Sequence, residues 1–179
     1  ACLNFSLHYL AFKNKSISVY KNDNEAYFFV FLIFLISLIT IFYIYNQSLD
    51  ITLREVIKNA FYAISISTTT GFTNSNYFVY VGFLPLLLIL FSFIGGCAGS
   101  TAGGMKAIRI LLLSKQGYRE LRRLVHPNSK IKVKIGNTAV NERTLETIWG
   151  FFAIYVFVFL TVLLLLMFSG LDFLTSFSA

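Results

Sequence analysis

Apolar residues fall in long uncharged blocks along this chain, separated by short polar stretches. Ala26 to Tyr45 carries no charged residue and is rich in Phe, Ile and Leu. Its length is close to the ~20 residues an α-helix needs to cross a ~30 Å hydrocarbon core. Tyr27 near one end, and Tyr43 and Tyr45 at the other, stand where interfacial anchors stand. The block predicts a first span over residues 26–45. Thr147 to Leu171 is again uncharged, with Trp149 and Tyr155 towards its inner end, and predicts another. A third apolar stretch, residues 77–113, is too long for one straight crossing: at 1.5 Å per residue it would extend ~55 Å. Its middle, Gly95 to Gly104, holds five glycines in ten residues. Each glycine weakens a helix by about 1 kcal/mol relative to alanine. A broken span is therefore expected, its second helical piece running from about Met105 to Leu113, with a kink at Pro85 near the outer end. Residues 1–12 are apolar but too short to cross, and read as the inner end of a preceding helix. Residues 13–25, with Lys13, Lys15, Lys21, Asp23 and Glu25, read as a polar surface linker.

Between the first and the broken span lies a segment of different character. Thr52 and Glu55 have the spacing of a capping box, in which hydroxyl and carboxylate satisfy free N–H groups at a helix start. The helix predicted over residues 52–66 carries Arg54 and Lys58 early and is apolar from Ala60 to Ile66. Its length is ~22 Å at 1.5 Å per residue, enough to enter a membrane and too short to cross it. It leads into Ser67-Thr68-Thr69-Thr70-Gly71-Phe72-Thr73-Asn74. At membrane depth, irregular backbone is tolerated only where protein buries it or where it lines a water-filled path. Backbone carbonyls and Thr hydroxyls are the groups that replace a cation's hydration shell in such a path. The C-terminal end of the preceding helix adds a partial negative charge that favours a cation. Residues 52–74 therefore read as a re-entrant pore loop. Its filter-like turn spans residues 67–74, with Thr69, Thr70, Gly71 and Phe72 presenting carbonyls and Gly71 permitting positive φ.

Composition fixes the class. The chain is 56% hydrophobic, with 20 Phe and 10 Tyr in 179 residues, against about 45–50% apolar for a soluble domain. The expectation is an all-α polytopic membrane protein with three transmembrane segments and one pore helix. The net charge of +7 reads as the positive-inside bias rather than as nucleic-acid binding. Of the 15 basic residues, 13 lie in Lys13–Lys21 and Lys106–Arg143, so both stretches are expected on the cytoplasmic side. An even number of crossings must separate them. Residues 26–45 and 77–113 supply two, and a crossing by residues 52–66 would make three. Cys2 and Cys97 suggest neither a disulfide nor a metal site, and His8 and His126 stand alone. The apolar blocks hold no Ser/His/Asp or metal constellation, so no enzyme is expected. A secondary transporter with broken helices and a midplane substrate site is the alternative. It requires an intramembrane charge, and none lies between Asn59 and Met105.

Three readings compete for the glycine stretch. A phosphate-binding loop fails, because Gly99 to Gly104 is followed by Met105 and Lys106 by Ala107. A glycine zipper has the right spacing at Gly95, Gly99 and Gly103. A flexible intramembrane loop, weakly structured and held by few contacts, accounts also for the excess length and for Ser100 and Thr101. That third reading is preferred. Residues 114–143 read as a basic cytoplasmic loop. Within it, Lys130-Ile131-Lys132-Val133-Lys134-Ile135 alternates with the strand period, and Gly136-Asn137 supplies a turn. A small hairpin is expected there, its Lys-rich edge available for docking a partner.

The order span, short pore helix, Thr-Thr-Thr-Gly-Phe-Thr, broken span resembles the Trk/Ktr/HKT superfamily of potassium transporters, in its bacterial Trk-type branch. Ser67 to Thr73 carry the resemblance, with Phe93-Ile94-Gly95-Gly96-Cys97-Ala98-Gly99-Ser100-Thr101-Ala102-Gly103-Gly104-Met105-Lys106. Leu124-Val125-His126-Pro127-Asn128 and Glu146 to Phe152 extend it over nearly the whole chain. The family has four repeats of span, pore loop and span around one potassium-channel-like pore. The resemblance implies that residues 1–25 end repeat two, residues 26–113 form repeat three, and residues 144–179 hold the first span of repeat four. It implies that Thr69, Thr70 and Gly71 bind K⁺ in the filter. It implies a gating loop at Gly95, Gly96, Gly99, Ser100, Thr101, Gly103 and Gly104. K⁺ is implied as the transported ion, with no covalently bound cofactor. The implied partners are the lipid bilayer, a second copy in a homodimer and a cytosolic nucleotide-binding regulatory ring. The implied location is the bacterial inner membrane. The other three filters lie outside this sequence, which reads as a piece of a longer protein and is not expected to conduct alone.

Overall fold

A computed structural model describes residues 2–47, 52–73, 82–127, 129 and 131–178. Its regular elements, among the described residues, are helices and one small hairpin. The chain divides into two compact units, Ala1–Leu111 and Leu112–Ala179.

The first unit opens with α1 (Phe5–Asn14) and α2 (Ser18–Asn22). Asn4 caps α1, its Oδ1 accepting the Ser6 N–H at 2.9 Å, and Lys15 closes it in the left-handed region. The stretch expected as a linker is thus mostly helical. The long α3 (Asn24–Gln47) follows. Ala26, Phe29, Ile36 and Thr40 are buried along it, with Ile33 and Tyr43 half-buried between them. These positions alternate steps of three and four, one stripe of a helix. Tyr27, Phe31, Phe34, Leu38, Phe42 and Tyr45 stay exposed around the rest. The Thr40 hydroxyl donates to the Ile36 carbonyl at 2.8 Å, so this buried polar group in the stripe is satisfied.

Helix α4 (Leu53–Ser67) and helix α5 (Phe83–Ser92) pack on α3. Tyr62, Ala63, Leu84 and Leu88 close on Ile36 to make the core. The Thr52 N–H donates to Glu55 Oε2 at 3.3 Å, the carboxylate half of the expected capping box. Pro85 stands in the first turn of α5, where its missing N–H has no intrahelical partner to lose. Residues 77–81, the expected start of the broken span, and Asn74 lie outside the described residues. The break itself lies between Ser92 and Ala107, where α6 (Ala107–Val125) begins. Gly95, Gly99 and Gly103 are all non-helical, which removes the zipper reading.

In the second unit α6 continues to Val125, well beyond Leu113, so the basic region opens as helix. Leu112 and Arg119 are its buried positions there. The Arg119 guanidinium donates to Glu142 Oε1 at 2.7 Å and to Glu120 Oε1 at 3.1 Å. The expected hairpin is present but short. Strand β1 (Lys134–Ile135) pairs antiparallel with β2 (Thr138–Ala139) across Gly136-Asn137. Lys115 Nζ donates to the Lys134 carbonyl at 2.8 Å; Lys130 lies outside the described residues. Helix α7 (Glu142–Phe168) starts before Thr147, because Asn141 Oδ1 caps it through the Arg143 N–H. A short α8 (Phe173–Ser178) begins at Asp172, whose carboxylate accepts from the Thr175 N–H and hydroxyl. Asn24–Asn46 and Glu142–Phe168 are the two helices, among the described residues, long and apolar enough to cross a membrane.

Candidate functional site

Helix α4 ends in a turn that wraps its own last carbonyls. The Thr69 N–H donates to the Ile66 carbonyl at 2.9 Å and the Thr70 N–H to Ser65 at 2.9 Å. This 5→2 and 6→1 pair is a Schellman closure, which puts the residue after the C-cap in the left-handed region. That residue is Thr69, at φ +54. A second left-handed residue follows at Gly71, φ +76, as expected from its lack of Cβ. The Gly71 N–H also reaches the Ser65 carbonyl at 3.3 Å. Beneath the turn the supports are buried and polar. Ser65 Oγ donates to the Phe72 carbonyl at 2.6 Å. Thr68 Oγ1 donates to the Ile64 carbonyl at 2.7 Å and lies 2.8 Å from Thr70 Oγ1. Ser67 Oγ donates to Ala63 at 2.6 Å. Residues 69 to 73 are exposed while Ser65, Ser67 and Thr68 are buried. The turn is an exposed segment rich in hydroxyls and carbonyls, held from beneath by buried hydroxyls. Of the four expected filter residues, Phe72 differs, since its carbonyl is engaged by Ser65 and directed back at α4.

The glycine stretch is not the loosely held segment expected. Its two arms are laced together at the neck. The N–H groups of Met105, Lys106 and Ala107 donate to the carbonyls of Phe93, Ile94 and Gly96 at 2.8, 3.0 and 2.9 Å. Gly95 and Gly104 sit where these arms cross, both at positive φ. A Cβ on Gly95 would overlap the Gly103 carbonyl, and one on Gly104 would lie 2.7 Å from the Phe93 carbonyl oxygen. Glycine here allows backbone to pack on backbone. Gly96 faces Ala102, Ser100 and the Cys2 carbonyl just as tightly. Cys2 and the first residue of α1 dock onto the loop from outside it. The Cys97 N–H donates to the Cys2 carbonyl at 2.8 Å and the Phe5 N–H to the Gly99 carbonyl at 3.2 Å. Phe29, Cys97 and Ala107 form a small core beneath. Thr101, Gly103 and Gly104 remain exposed.

The turn after α4 and the glycine loop touch. The Gly103 N–H donates to Thr69 Oγ1 at 3.0 Å. The structure thus brings together two segments that lie more than thirty positions apart in the chain.

Two charged residues at this site were missed from sequence. Glu25, placed in the linker, is buried, and its Oε1 accepts from the Ala98 N–H at 2.6 Å and the Ile108 N–H at 3.2 Å. One carboxylate therefore ties the loop's first arm and the start of α6 to the start of α3. Lys106, placed with the cytoplasmic charges, curls back over the loop. Its ammonium donates to the Ser100 carbonyl at 3.3 Å and to the Ala102 carbonyl. The charge-free stretch ends at Met105, one residue short of it. An ionisable residue inside an apolar block is the signal that could have found Lys106.

The sequence profile of a family of cation transport proteins, TrkH, matches residues 47–179. The chain belongs to this family. It is 42% identical over 177 residues to a Trk system potassium uptake protein TrkH of Salmonella typhimurium, covering 98% of this chain and 37% of that protein. It is 43% identical to the TrkH of Vibrio parahaemolyticus over 182 residues, again 37% of that protein. The crystal structure of the potassium transporter TrkH from Vibrio parahaemolyticus matches with a TM-score of 0.91 at 42% identity, over 98% of this chain and 38% of that one. The chain therefore spans little more than a third of the length of these TrkH-family relatives.

Proposed function

We propose that this chain is one pore repeat, with parts of its neighbours, of a Trk-type potassium uptake protein in a bacterial inner membrane. Residues 26–45 and the broken stretch 77–113 would be its spans, residues 52–66 its pore helix, and residues 144–179 would open the next repeat. The observation that carries the reading is the turn at Thr69, Thr70 and Gly71. It is exposed, held by buried hydroxyls, and bonded to a glycine loop that would lie across the ion's path. Carbonyls held rigidly in place can replace a K⁺ ion's hydration water. Thr69, Thr70 and Gly71 fit that task. Phe72 fits the task of anchoring the turn. Gly95 to Gly104 fit that of a gate. The relatives' names, which state potassium uptake, supply the substrate.

An unfilled apolar face on α4 also supports a multi-repeat pore. Leu53, Ile57, Phe61 and Ile64 are exposed along one side of that helix. Neighbouring repeats would cover it. The proposed assembly is a homodimer with a cytosolic nucleotide-binding ring docked on the basic region, and no catalysis is proposed. The alternative, a broken-helix secondary transporter, gains the charge it needs in Lys106. That ammonium, however, is taken up by the loop's own carbonyls. The test is growth and Rb⁺ uptake of a potassium-uptake-deficient bacterium carrying the full-length protein. Growth at low K⁺ that is lost with Gly71→Asp supports the proposal. A membrane-inserted protein giving no K⁺ or Rb⁺ uptake overturns it.

A further inference from the structure

Lys106 has no evident reason to be a lysine if the loop is only a flexible gate. Its backbone is in the left-handed region at φ +76, a conformation that costs a residue with Cβ about 1–2 kcal/mol. Its N–H is fixed by the Ile94 carbonyl at the neck. From there the side chain reaches back into the loop and puts its ammonium on the carbonyls of Ser100 and Ala102. Ala102 adjoins Gly103, whose N–H meets the filter residue Thr69. A positive charge is thereby held on backbone carbonyls within one residue of the filter contact. A partly dehydrated cation seeks carbonyl oxygens of this kind.

We propose that Lys106 is a tethered cation: its ammonium occupies a carbonyl site for a monovalent cation at Ser100 and Ala102, and its charge keeps K⁺ out of the closed loop. The idea rests on the reading of a potassium path past this loop. It assigns the closed state an electrostatic barrier in addition to a steric one, because like charges at short range in a low-dielectric site repel strongly. K⁺ passes only after the ammonium leaves the carbonyls.

Charge and hydrogen bonding can be separated by substitution. In the full-length protein in liposomes, K⁺ flux per folded molecule is measured for the parent, K106R, K106Q and K106M, with folded yield from size-exclusion profiles. K106R keeps the charge and should match the parent. K106Q keeps a donor but loses the charge, and K106M loses both. Each should raise basal flux at least threefold. If K106Q behaves like the parent and only K106M differs, Lys106 is a hydrogen-bonding strut and the proposal falls. It falls also if both neutral variants conduct no more than the parent, or if both fail to fold while K106R folds. A parent with no K⁺ flux would instead sink the functional reading on which this one rests.

Discussion

Thr69 shows how a local rule is broken for a purpose. A Schellman closure favours glycine after the C-cap, and the chain supplies its glycine two positions later, at Gly71. Thr69 accepts left-handed strain and in return offers Oγ1 to the Gly103 N–H. Thr69→Ala keeps the strain and loses the bond, and should destabilise the full-length protein by about 1–2 kcal/mol. Thr69→Gly loses the same bond but relieves the strain, and should be nearly neutral. Thermal unfolding in detergent separates the two; equal losses would mean that the strain is not real. Gly71 differs from the loop glycines. An added Cβ meets nothing within 4 Å, so only its φ of +76 resists a side chain. Gly71→Ala should therefore fold at parent-like yield while losing K⁺ over Na⁺ selectivity, read from paired Rb⁺ and Na⁺ uptake. Unchanged selectivity would remove Gly71 from the filter. The hydroxyl-rich turn and its glycine were legible in the sequence. The strained Thr69 was not, because nothing local distinguishes three consecutive threonines; only the Gly103 partner does.

The glycine loop carries the lesson at the scale of elements. Its break was legible from length and glycine content. Its rigidity was not, since five glycines suggest slack and say nothing about the neck at Phe93, Ile94 and Gly96. Glu25 was hidden for a related reason: a charge at the edge of an apolar block looks solvated until two N–H groups are found on it. Hydrogen bonds to buried charged groups are worth about 1.5–3 kcal/mol each, and leaving such donors unpaired costs more than losing the bond. Glu25→Ala should thus lower stability by about 2–4 kcal/mol. Glu25→Gln, whose amide oxygen can still accept, should lose less. Protease cleavage within residues 95–104 would report this, and equal protection in both variants would exclude Glu25 as the anchor. Deleting Gly99 to Gly103 is a different perturbation. The neck bonds lie outside the deleted segment, while the Thr69 contact and the carbonyls under Lys106 go with it. The deletion should raise K⁺ flux per folded molecule in liposomes. A fall in flux at parent-like yield would mean that the loop is needed for conduction.

At the scale of the whole molecule, length and hydropathy made α3 and α7 legible, because crossing a hydrocarbon core sets a minimum run of uncharged residues. The helical course of residues 114–125 was not, since charge was read there as loop although a helix with one apolar face accommodates it. Side of the membrane is the remaining property that the charge pattern alone predicts. Lys13–Lys21 and Arg109–Arg143 hold 12 of the 15 basic residues, and Lys and Arg favour the cytoplasmic face in loops of this length. Both groups can lie inside only if residues 26–113 cross an even number of times, which requires α4 to enter and return. Two single-cysteine additions to the full-length protein decide it, each compared with the labelling background of the parent. Asn46→Cys, exposed at the end of α3, should react with a membrane-impermeant maleimide in intact cells. Lys132→Cys, exposed ahead of the hairpin, should react only after permeabilisation. Labelling of Lys132→Cys from outside would place the basic region opposite to Lys13–Lys21 if those lysines stay inside. The count of crossings between them would then be odd, α4 would have to span, and the re-entrant pore helix would be lost with it.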